Sequence, residues 1–495
     1  MYPSLEKLRQ LKTDSTYRRF PVCRELYADR YTPVEMMRIL RKASRHCYLL
    51  ESASQTEQWG RYSFLGFAPT AEYTCTDGKM KIRRLDASGW EEEETKKVEH
   101  PGEVLRKVIE ENRTPVLEGF PTFTGGLVGY FSYDYIKYSE PKLQLAKDPE
   151  QDFRDMDLML FDQVIVFDHY RQKVLLITGV KADNLEASYQ KAEEKLKEMA
   201  RLIQTGKKME FPPLHLESEI APKFSEERYA GMVEKAKDYI REGDIFQVVL
   251  SNPMRAKAAG SLFDTYRVLR ASNPSPYMFY FSSDDIEIAG ASPETLVKLE
   301  DKKLFTFPLA GTRPRGKDRE TDEKLERELL ADEKELAEHN MLVDLGRNDM
   351  GKISAIGTVS VDKYLAIERF SHVMHIGSTV TGTLREEKDA VDAVDAILPA
   401  GTLSGTPKFR ACEIIEELEG SKRGIYGGAI GYLDFAGNLD VCIAIRLVYK
   451  KDGKVCIRSG AGIVADSVPK KEFKECCNKV RAVVQAIKEA QEGLE

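Results

Sequence analysis

The sequence has no long apolar run. No stretch approaches the roughly 20 consecutive apolar residues that a membrane-spanning helix needs. The first twenty residues, MYPSLEKLRQLKTDSTYRRF, also lack the apolar segment of a secretion signal. We therefore expect a protein of the cytoplasm that has no membrane partner.

An excess of positive charge is missing too. The formal net charge is -7 at pH 7. Proteins that bind nucleic acids need clustered lysine and arginine to neutralise phosphates. The composition therefore argues against a nucleic-acid partner.

Cysteine is scarce, and its spacing carries no metal or redox pattern. The eight cysteines include no C-x-x-C pair and no Cys/His spacing of a zinc site. We expect reduced thiols that pack as small apolar side chains. The glycine patterns of P-loop and dinucleotide-binding folds are absent as well, so neither of these folds is indicated.

The chain does have enough apolar sequence, 42% of 495 residues, to fill a large core. An amphipathic helix is predicted over residues 188–205, and residues 206–222, rich in proline and polar side chains, are interpreted as a linker. The predicted domains are therefore 1–205 and 223–495. Short β-prone runs separated by turns favour an α+β fold with large, mainly antiparallel sheets over a doubly wound fold.

Two acidic pairs lie on predicted helices. Glu335 and Glu338 form the first pair, and Glu472 and Glu475 form the second. A spacing of three places both carboxylates of a pair on one helical face. In the first helix that face continues into the apolar stripe of residues 341–345, so its acids are expected to point inward and to need a proton, a base or a cation such as Mg²⁺. A solvated face paired with lysines remains the alternative.

Glycine-rich stretches in the C-terminal half could bring backbone N–H groups close to an anion. They cover residues 308–313, 399–408, 424–431 and 460–462. Residues 460–462 are expected to form a turn. Arg446, in a strand predicted over residues 441–449, and Lys408 could complete an anion site. Taken singly, tight turns and surface charges explain these features equally well.

In their order along residues 224–480, the motifs resemble those of the chorismate-utilising enzymes, most closely the anthranilate synthase component I family. They are GDIFQ from 243, ASPE from 291, PLAGTRPRG from 308, AEHNMLVDLGRND from 337, ERFSHVMHIGS from 368, PAGTLSGTPK from 399, RGIYGGAIGY from 423, IAIR from 443 and GAGIVADS from 460. This resemblance implies a two-domain α+β sandwich of large sheets flanked by helices.

The resemblance also implies a metal site, because in that family the two acidic helices together hold one Mg²⁺. Glu338 and Glu475 match the principal ligands. Glu335 and Glu472 would line the same site, directly or through water.

Catalytic roles carry over where the motifs match. Glu294 resembles the general acid that protonates the departing ring hydroxyl, and His375 the histidine linked to elimination of pyruvate. Taken alone, these residues are also explained as a helix-start acid and a hydrogen-bonded core histidine. The implied chorismate-binding residues are Gly311, Thr312, Thr402, Tyr426, Arg446, Gly460, Ala461 and Gly462.

Two positions of the sequence indicate which nucleophile, water or ammonia, is added to the substrate. Relatives that add water carry lysine where this chain has Gln247, and a neutral amide cannot replace that base. Aminodeoxychorismate synthases typically carry lysine where this chain has Ala310. Both departures favour addition of ammonia and formation of anthranilate, with Gln247 counted among the catalytic residues. A 2-amino-2-deoxyisochorismate synthase and an aminodeoxychorismate synthase component remain alternatives.

The resemblance implies that ammonia comes from a glutamine amidotransferase subunit, since no cysteine here has a glutaminase context. The expected assembly is a heterotetramer of two large and two small subunits. A reading of another class is an amino-acid-sensing module that has lost catalysis.

The N-terminal half carries a shorter match. LLES at residues 49–52 resembles the family's tryptophan-feedback motif, and residues 276–278 its second wall. In isolation, LLES is also explained as a strand that ends in a polar turn. The implied inhibitor contacts are Glu51, Ser52, Pro276, Tyr277 and Met278.

Overall fold

A computed structural model of the chain describes residues 1–13, 16–52, 60–86, 89–145, 153–369 and 373–494, so residues 370–372 of the ERFSHVMHIGS motif lie outside it. The helices are α1 (Leu5–Leu11), α2 (Pro33–Ala43), α3 (Gly102–Glu111), α4 (Ile136–Ser139), α5 (Leu185–Thr205), α6 (Glu226–Glu242), α7 (Phe263–Ser272), α8 (Arg319–Leu330), α9 (Glu333–Gly351), α10 (Ala390–Ile397), α11 (Lys408–Glu419) and α12 (Pro469–Gln491), with short 3₁₀ helices at Tyr133–Tyr135 and Gly401–Leu403. The strands are β1 (Arg19–Tyr27), β2 (Cys47–Glu51), β3 (Tyr62–Phe67), β4 (Ala71–Thr76), β5 (Lys79–Asp86), β6 (Gly89–Lys97), β7 (Gly126–Phe131), β8 (Met156–Phe161), β9 (Gln163–Asp168), β10 (Lys173–Lys181), β11 (His215–Leu216), β12 (Ala221–Pro222), β13 (Gln247–Ala259), β14 (Tyr277–Ser282), β15 (Ile286–Ser292), β16 (Thr295–Glu300), β17 (Lys303–Thr306), β18 (Leu309–Pro314), β19 (Ser360–Arg369), β20 (Val373–Thr383), β21 (Gly405–Thr406), β22 (Ala429–Asp434), β23 (Leu439–Ile443), β24 (Leu447–Lys451) and β25 (Lys454–Ile463).

The strands form two large antiparallel sheets, as the sequence predicts. Sheet I has 13 strands in the order β1-β10-β9-β3-β2-β14-β15-β24-β25-β13-β11, with β12 and β21 also paired to β13. Sheet II has 12 strands in the order β18-β20-β17-β16-β23-β22-β7-β8-β4-β5-β6, with β19 paired to β20.

The sheets pack face to face over a core of aromatic and aliphatic side chains. Phe64 and Phe279 of sheet I meet Tyr130, Met159 and Ile430 of sheet II in this core. A second core packs α2, α5, α7 and α12 on the outer face of sheet I, and a third packs α3, α9 and α10 on sheet II. The layered α+β sandwich is therefore confirmed. No described helix is long and apolar enough to span a bilayer.

Both sheets mix strands from the two sides of the expected linker. In sheet I, β2 pairs with β14, so that Glu51 lies opposite Met278. In sheet II, β7 pairs with β22, so that Gly129 lies opposite Gly431. Residues 206–222 themselves contain β11 and β12, which pair with β13. The domain boundaries stay a prediction, whereas the hydrogen-bonded sheets are continuous across them.

The structure corrects two local expectations. The run predicted as one strand over residues 441–449 is two strands, because the chain leaves sheet II at Ile443 and enters sheet I at Leu447. Arg446 lies in this crossing with φ of 50°, in the left-handed region. Residues 460–462 form no turn and lie inside β25, paired with β13.

A buried ion cluster ties several of these elements together. Glu419 at the end of α11 accepts hydrogen bonds from Arg423, from Arg458 on β25 and from the backbone and side chain of Ser251 on β13. The two guanidiniums and the carboxylate are almost completely buried. Burial alone would raise the pKa of Glu419, but the two arginines outweigh burial and hold that pKa below its usual value.

Removal of the Glu419 charge should therefore destabilise the fold strongly. For Glu419→Gln we expect a loss of about 3–5 kcal/mol, because two buried guanidiniums lose their counter-charge. Urea unfolding followed by circular dichroism measures this loss. Glu413→Gln on the same helix removes a partly exposed partner of Arg410 and should cost less than about 1 kcal/mol. Equal midpoints for the two variants would contradict the assignment.

Candidate active site

Two crossings between the sheets lie side by side and position the first site residues. Between β15 of sheet I and β16 of sheet II, Pro293 and Glu294 make the connection. The second crossing holds Arg446. Backbone hydrogen bonds join the two, from Ile443 N to Glu294 O at 2.9 Å and from Ala291 N to Arg446 O at 3.1 Å. The sheet connections therefore place an acid beside a cation.

Glu294 is held in a partly protonated state. Burial raises the pKa of its carboxyl to about 7, although a hydrogen bond from Thr402 and the charges of Arg446 and Lys479 act in the opposite direction. The Thr402 hydroxyl donates to Glu294 Oε1 at 3.2 Å. A carboxyl with a pKa near neutral pH can deliver a proton to a leaving group.

His375 on β20 lies against β18 as a neutral base. Its Nδ1 is 2.8 Å from Gly311 O and 3.1 Å from Thr312 Oγ1. Because a carbonyl only accepts, Nδ1 carries the proton of the first bond and the lone pair of the neutral ring is on Nε2. Burial lowers the pKa of His375, and Arg446 adds to this effect although the bond to Gly311 opposes it.

The opposite wall of the site is formed by β13 and β25. A Cβ on Gly462 would lie 2.6 Å from Gln247 Nε2, and one on Gly460 would lie 3.0 Å from the Tyr426 hydroxyl. Ala461 between them is completely buried. Glycine occurs at both positions because neighbouring atoms already occupy the space that a side chain would need.

The four acidic residues flank this site on α9 and α12. Glu335 and Glu472 are half-buried, whereas Glu338 and Glu475 are exposed and do not point into the core. Burial, and after it the charges of Glu335 and Glu475, raise the pKa of Glu338, so the acids of the two helices interact across the cleft. Carboxylate oxygens are the donors that Mg²⁺ prefers. Over the described ranges, no three His, Cys, Asp or Glu side chains are grouped closely enough to hold an ion.

A separate cavity of about 630 Å³ lies between the two sheets. The pairing of β2 with β14 brings the LLES motif beside residues 276–278. The cavity wall thus gathers Glu51, Ser52, Pro276, Tyr277 and Met278.

The polar side chains of this cavity wall differ in whether they have hydrogen-bond partners. The Glu51 carboxylate accepts bonds from Arg270 at 2.8 Å, from Ser63 at 3.2 Å and from the Tyr266 hydroxyl. The buried Ser52 hydroxyl has no hydrogen-bond partner within the described part of the chain. A buried hydroxyl of this kind is available to a ligand.

Comparison with known proteins identifies the family. A family model described as chorismate binding enzyme matches residues 45–485. The chain belongs to the chorismate-binding enzymes. Anthranilate synthase component 1 of Acetivibrio thermocellus is 45% identical over 99% of both chains, and that of Aquifex aeolicus is 41% identical over 99% of both.

Solved structures agree with this family. Anthranilate synthase component I from Streptococcus pneumoniae TIGR4 superposes on 86% of this chorismate-binding enzyme and 92% of its own chain, with a TM-score of 0.75 and 38% identity. The menaquinone-specific isochorismate synthase MenF from Escherichia coli covers 98% of both chains with a TM-score of 0.67, and at 20% identity it supports the fold alone. The resemblance found in the sequence is confirmed.

Two cations of this chorismate-binding enzyme were not singled out by its sequence. Lys479 Nζ lies 2.8 Å from Glu475 Oε1 and donates to Gly460 O at 3.0 Å, so it joins α12 to the glycine strand. Arg313 Nη1 lies 3.4 Å from Glu335 Oε1. The only sequence signal for Lys479 is its spacing of four from Glu475.

Lys408 does not contribute to the expected anion site. Its Nζ lies 2.7 Å from Asp349 Oδ2 and 2.9 Å from Ile397 O. Burial lowers the pKa of this ammonium group, and Asp349 compensates for part of that effect. Lys408 therefore makes an internal ion pair, and the expectation that it completes an anion site is wrong.

The carboxyl of Glu294 should lose its proton near pH 7. We expect the infrared difference spectrum between the wild type and Glu294→Gln to contain the band of a protonated carboxyl group, and this band should disappear as the pH rises through about 7. Thr402→Val removes a hydroxyl that favours the ionised form, so the same band should persist to higher pH. If the difference spectrum contains no such band, Glu294 does not titrate near neutral pH.

Proposed function

We propose that this chain is the aminating component of an anthranilate synthase, which converts chorismate and ammonia to anthranilate and pyruvate. The observation that carries this proposal is the position of Glu294 and Arg446 on two sheet crossings that are joined by backbone hydrogen bonds, with His375 on β20 close enough for the Arg446 charge to lower its pKa. Similarity over 99% of the chain to enzymes named anthranilate synthase component 1 supports it.

Arg446 supplies the charge that a dicarboxylate substrate needs. Its exposed guanidinium makes no hydrogen bond or ion pair with another described residue. Arginine binds carboxylates through paired N–H groups. Chorismate is therefore proposed to bind with its enolpyruvyl carboxylate on Arg446. The other contacts assigned to it are Gly311, Thr312, Thr402, Tyr426, Gly460, Ala461 and Gly462.

Glu294 and His375 then act at two stages of the reaction. Glu294 delivers its proton to the ring hydroxyl as that C–O bond breaks, water departs, and the ammonia nitrogen forms the new C–N bond. His375, neutral because of its burial, takes the ring proton that is lost when pyruvate is eliminated and the ring becomes aromatic.

Gln247 and Ala310 support ammonia as the nucleophile. The Gln247 amide packs against Gly462 in the substrate wall, where a neutral group cannot deprotonate water. Ala310 is buried in β18 next to Gly311 and adds no amine to the site. The rival function, a 2-amino-2-deoxyisochorismate synthase, differs in stopping before pyruvate is released.

A magnesium ion is proposed to bind between α9 and α12. Glu338 and Glu475 would be its principal ligands, with Glu335 and Glu472 lining the site. Burial, and after it the charge of Glu475, raises the pKa of Glu338 and of Glu472, and a divalent cation would remove the repulsion between the acids. When bound, the ion would supply Lewis acidity at the ring carboxylate of the substrate.

The chain is proposed to act with a second protein. The relatives are named component 1, which implies a partner component. We infer a glutamine amidotransferase that supplies ammonia, in a heterotetramer of two large and two small subunits. A reducing cytoplasm suits the cysteines, all eight of which are free thiols.

The reaction can be tested on the purified chain alone. Chorismate, Mg²⁺ and an ammonium salt at alkaline pH should yield anthranilate fluorescence together with pyruvate, and Glu294→Gln should reduce both. An aminated product without pyruvate would favour the rival function. If neither product forms, the chain is not the proposed enzyme.

The metal assignment predicts a loss of ion binding as well as of turnover. Glu338→Gln and Glu475→Gln should each weaken binding of Mn²⁺, measured by electron paramagnetic resonance as a probe for the Mg²⁺ site, and abolish Mg²⁺-dependent activity in a folded protein. Glu333→Gln, an exposed acid on the same helix α9, is the control and should bind as the wild type does. Substantial activity in either site variant would refute the assignment.

The cavity between the sheets is proposed to bind tryptophan as a feedback inhibitor. The five residues that resemble the feedback motif meet there, and the Ser52 hydroxyl, which has no hydrogen-bond partner among the described residues, lies among them. Tryptophan bound at this place would favour a state that converts chorismate poorly.

Ser52→Arg should abolish inhibition by tryptophan, because the longer cationic side chain fills the cavity. The concentration of tryptophan that halves the rate should rise at least about ten-fold, which corresponds to 1.4 kcal/mol of binding. Ser218→Arg on an exposed loop is the matched control. Unchanged inhibition in Ser52→Arg would exclude this cavity as the inhibitor site.

A further inference from the structure

We propose that Tyr277 and Thr295 form a relay that positions Glu294 and links it to the cavity between the sheets. The relay extends the proposed function, because it concerns the same general acid and the same inhibitor cavity. Tyr277 and Thr295 are positioning residues in this proposal, since neither reaches the reacting atoms directly.

The first half of the relay is a chain of hydrogen bonds. The Tyr277 hydroxyl lies 2.8 Å from Asp440 Oδ1 and 2.9 Å from Thr295 Oγ1. Because an ionised carboxylate only accepts, the Tyr277 hydroxyl donates its hydrogen bond to Asp440, and its oxygen accepts a hydrogen bond from the Thr295 hydroxyl. The orientation of the Thr295 side chain therefore depends on Tyr277.

The second half connects Thr295 to its neighbour Glu294. The register of β16 against β23 shifts between Thr295 and Val297, so a β-bulge begins next to the acid. Bulges commonly redirect a side chain beside an active site. The Glu294 backbone is held by Ile443 N at 2.9 Å and by the Ser292 hydroxyl at 3.4 Å. In the relay, a movement of Thr295 acts on Glu294 through the peptide unit that the two residues share at this bulge.

The relay crosses the wall between two cavities. Tyr277 and Asp440 line the 630 Å³ cavity, whereas Thr295 and Glu294 line a cavity of about 40 Å³ beside Thr402. A ligand that takes over a hydrogen bond of Tyr277 or Asp440 would release Thr295. Occupation of the larger cavity would then reduce proton donation by Glu294 without any contact with chorismate.

The surroundings of Glu294 leave its side chain responsive to such a change. The neighbouring groups that affect its charge are the Thr402 hydroxyl, Arg446 from the second crossing and Lys479 from α12. Only Thr402 is within hydrogen-bond distance of the carboxylate among the described residues. One hydrogen bond is a weak restraint, so the orientation of Thr295 matters.

Steady-state kinetics test the positioning role. Tyr277→Phe and Thr295→Val should each lower kcat about ten-fold with little change in the KM for chorismate, since misplacing a catalytic group by 1 Å can cost about a hundred-fold. The double variant should be no slower than the slower single variant, because both act in one relay. The infrared titration of Glu294 should also shift in each variant.

A control variant distinguishes the relay from the general effect of losing a hydrogen bond between a tyrosine and an aspartate. Tyr138→Phe removes a hydroxyl that likewise donates to an aspartate, Asp155, at 2.7 Å, and it should leave kcat and the Glu294 titration unchanged. Unchanged kcat and titration in Tyr277→Phe and Thr295→Val, or additive losses in the double variant, would overturn the relay.

Tryptophan tests the link to the larger cavity. Thr295 does not line that cavity among the described residues, so Thr295→Val should bind tryptophan in calorimetry with wild-type affinity. The same variant should lose at least half of the inhibition at saturating tryptophan. Full inhibition in Thr295→Val would overturn the link. Absence of tryptophan binding in the wild type would instead remove the proposed inhibitor, while the kinetic test of positioning stands.

Discussion

A single buried carboxylate, Glu419, holds together the strands and turns from which the active site is built. It compensates the charges of Arg423 and Arg458, which would otherwise be buried without a counter-charge. Arg423 extends this order to the site, because it donates to the carbonyl of Leu403, the neighbour of Thr402. Ser251, which also binds Glu419, lies opposite Gly460 in the sheet. The position of Thr402 and of the glycine strand thus follows from one compensated charge.

The proposed active site is located where the chain changes from one sheet to the other. Glu294 and Arg446 occupy the two crossings, His375 belongs to sheet II, and Gln247 begins a strand of sheet I. The site therefore depends on the relative position of both sheets. In the proposed relay through Tyr277, a cavity between the sheets acts on the reaction at their crossings because both sheets contribute to the site.

The sequence was sufficient for the fold class and family, and insufficient where partners lie far apart in the chain. Motif order predicted the family that the comparisons show, and helix α5 ends at Thr205 as its amphipathic pattern predicts. The crossing at Arg446 was hidden, because the apolar run of residues 441–449 continues through it. Residues 460–462 form a strand because they pair with β13, which lies far away in the chain. Rules for local turns cannot detect such a distant partner. The ion pair of Lys408 could not be predicted for the same reason, since its partner is Asp349 on another helix.

The pairing of β2 with β14 also has a consequence for synthesis of the chain on the ribosome. Strand β2 lies in the interior of sheet I, and one of its edges is covered only by β14. Until β14 has emerged, the apolar Cys47–Glu51 edge has no native neighbour, and such an edge is a template for pairing with other chains. The N-terminal half must therefore be protected from aggregation, by chaperones or by rapid elongation, for as long as the intervening residues are being translated.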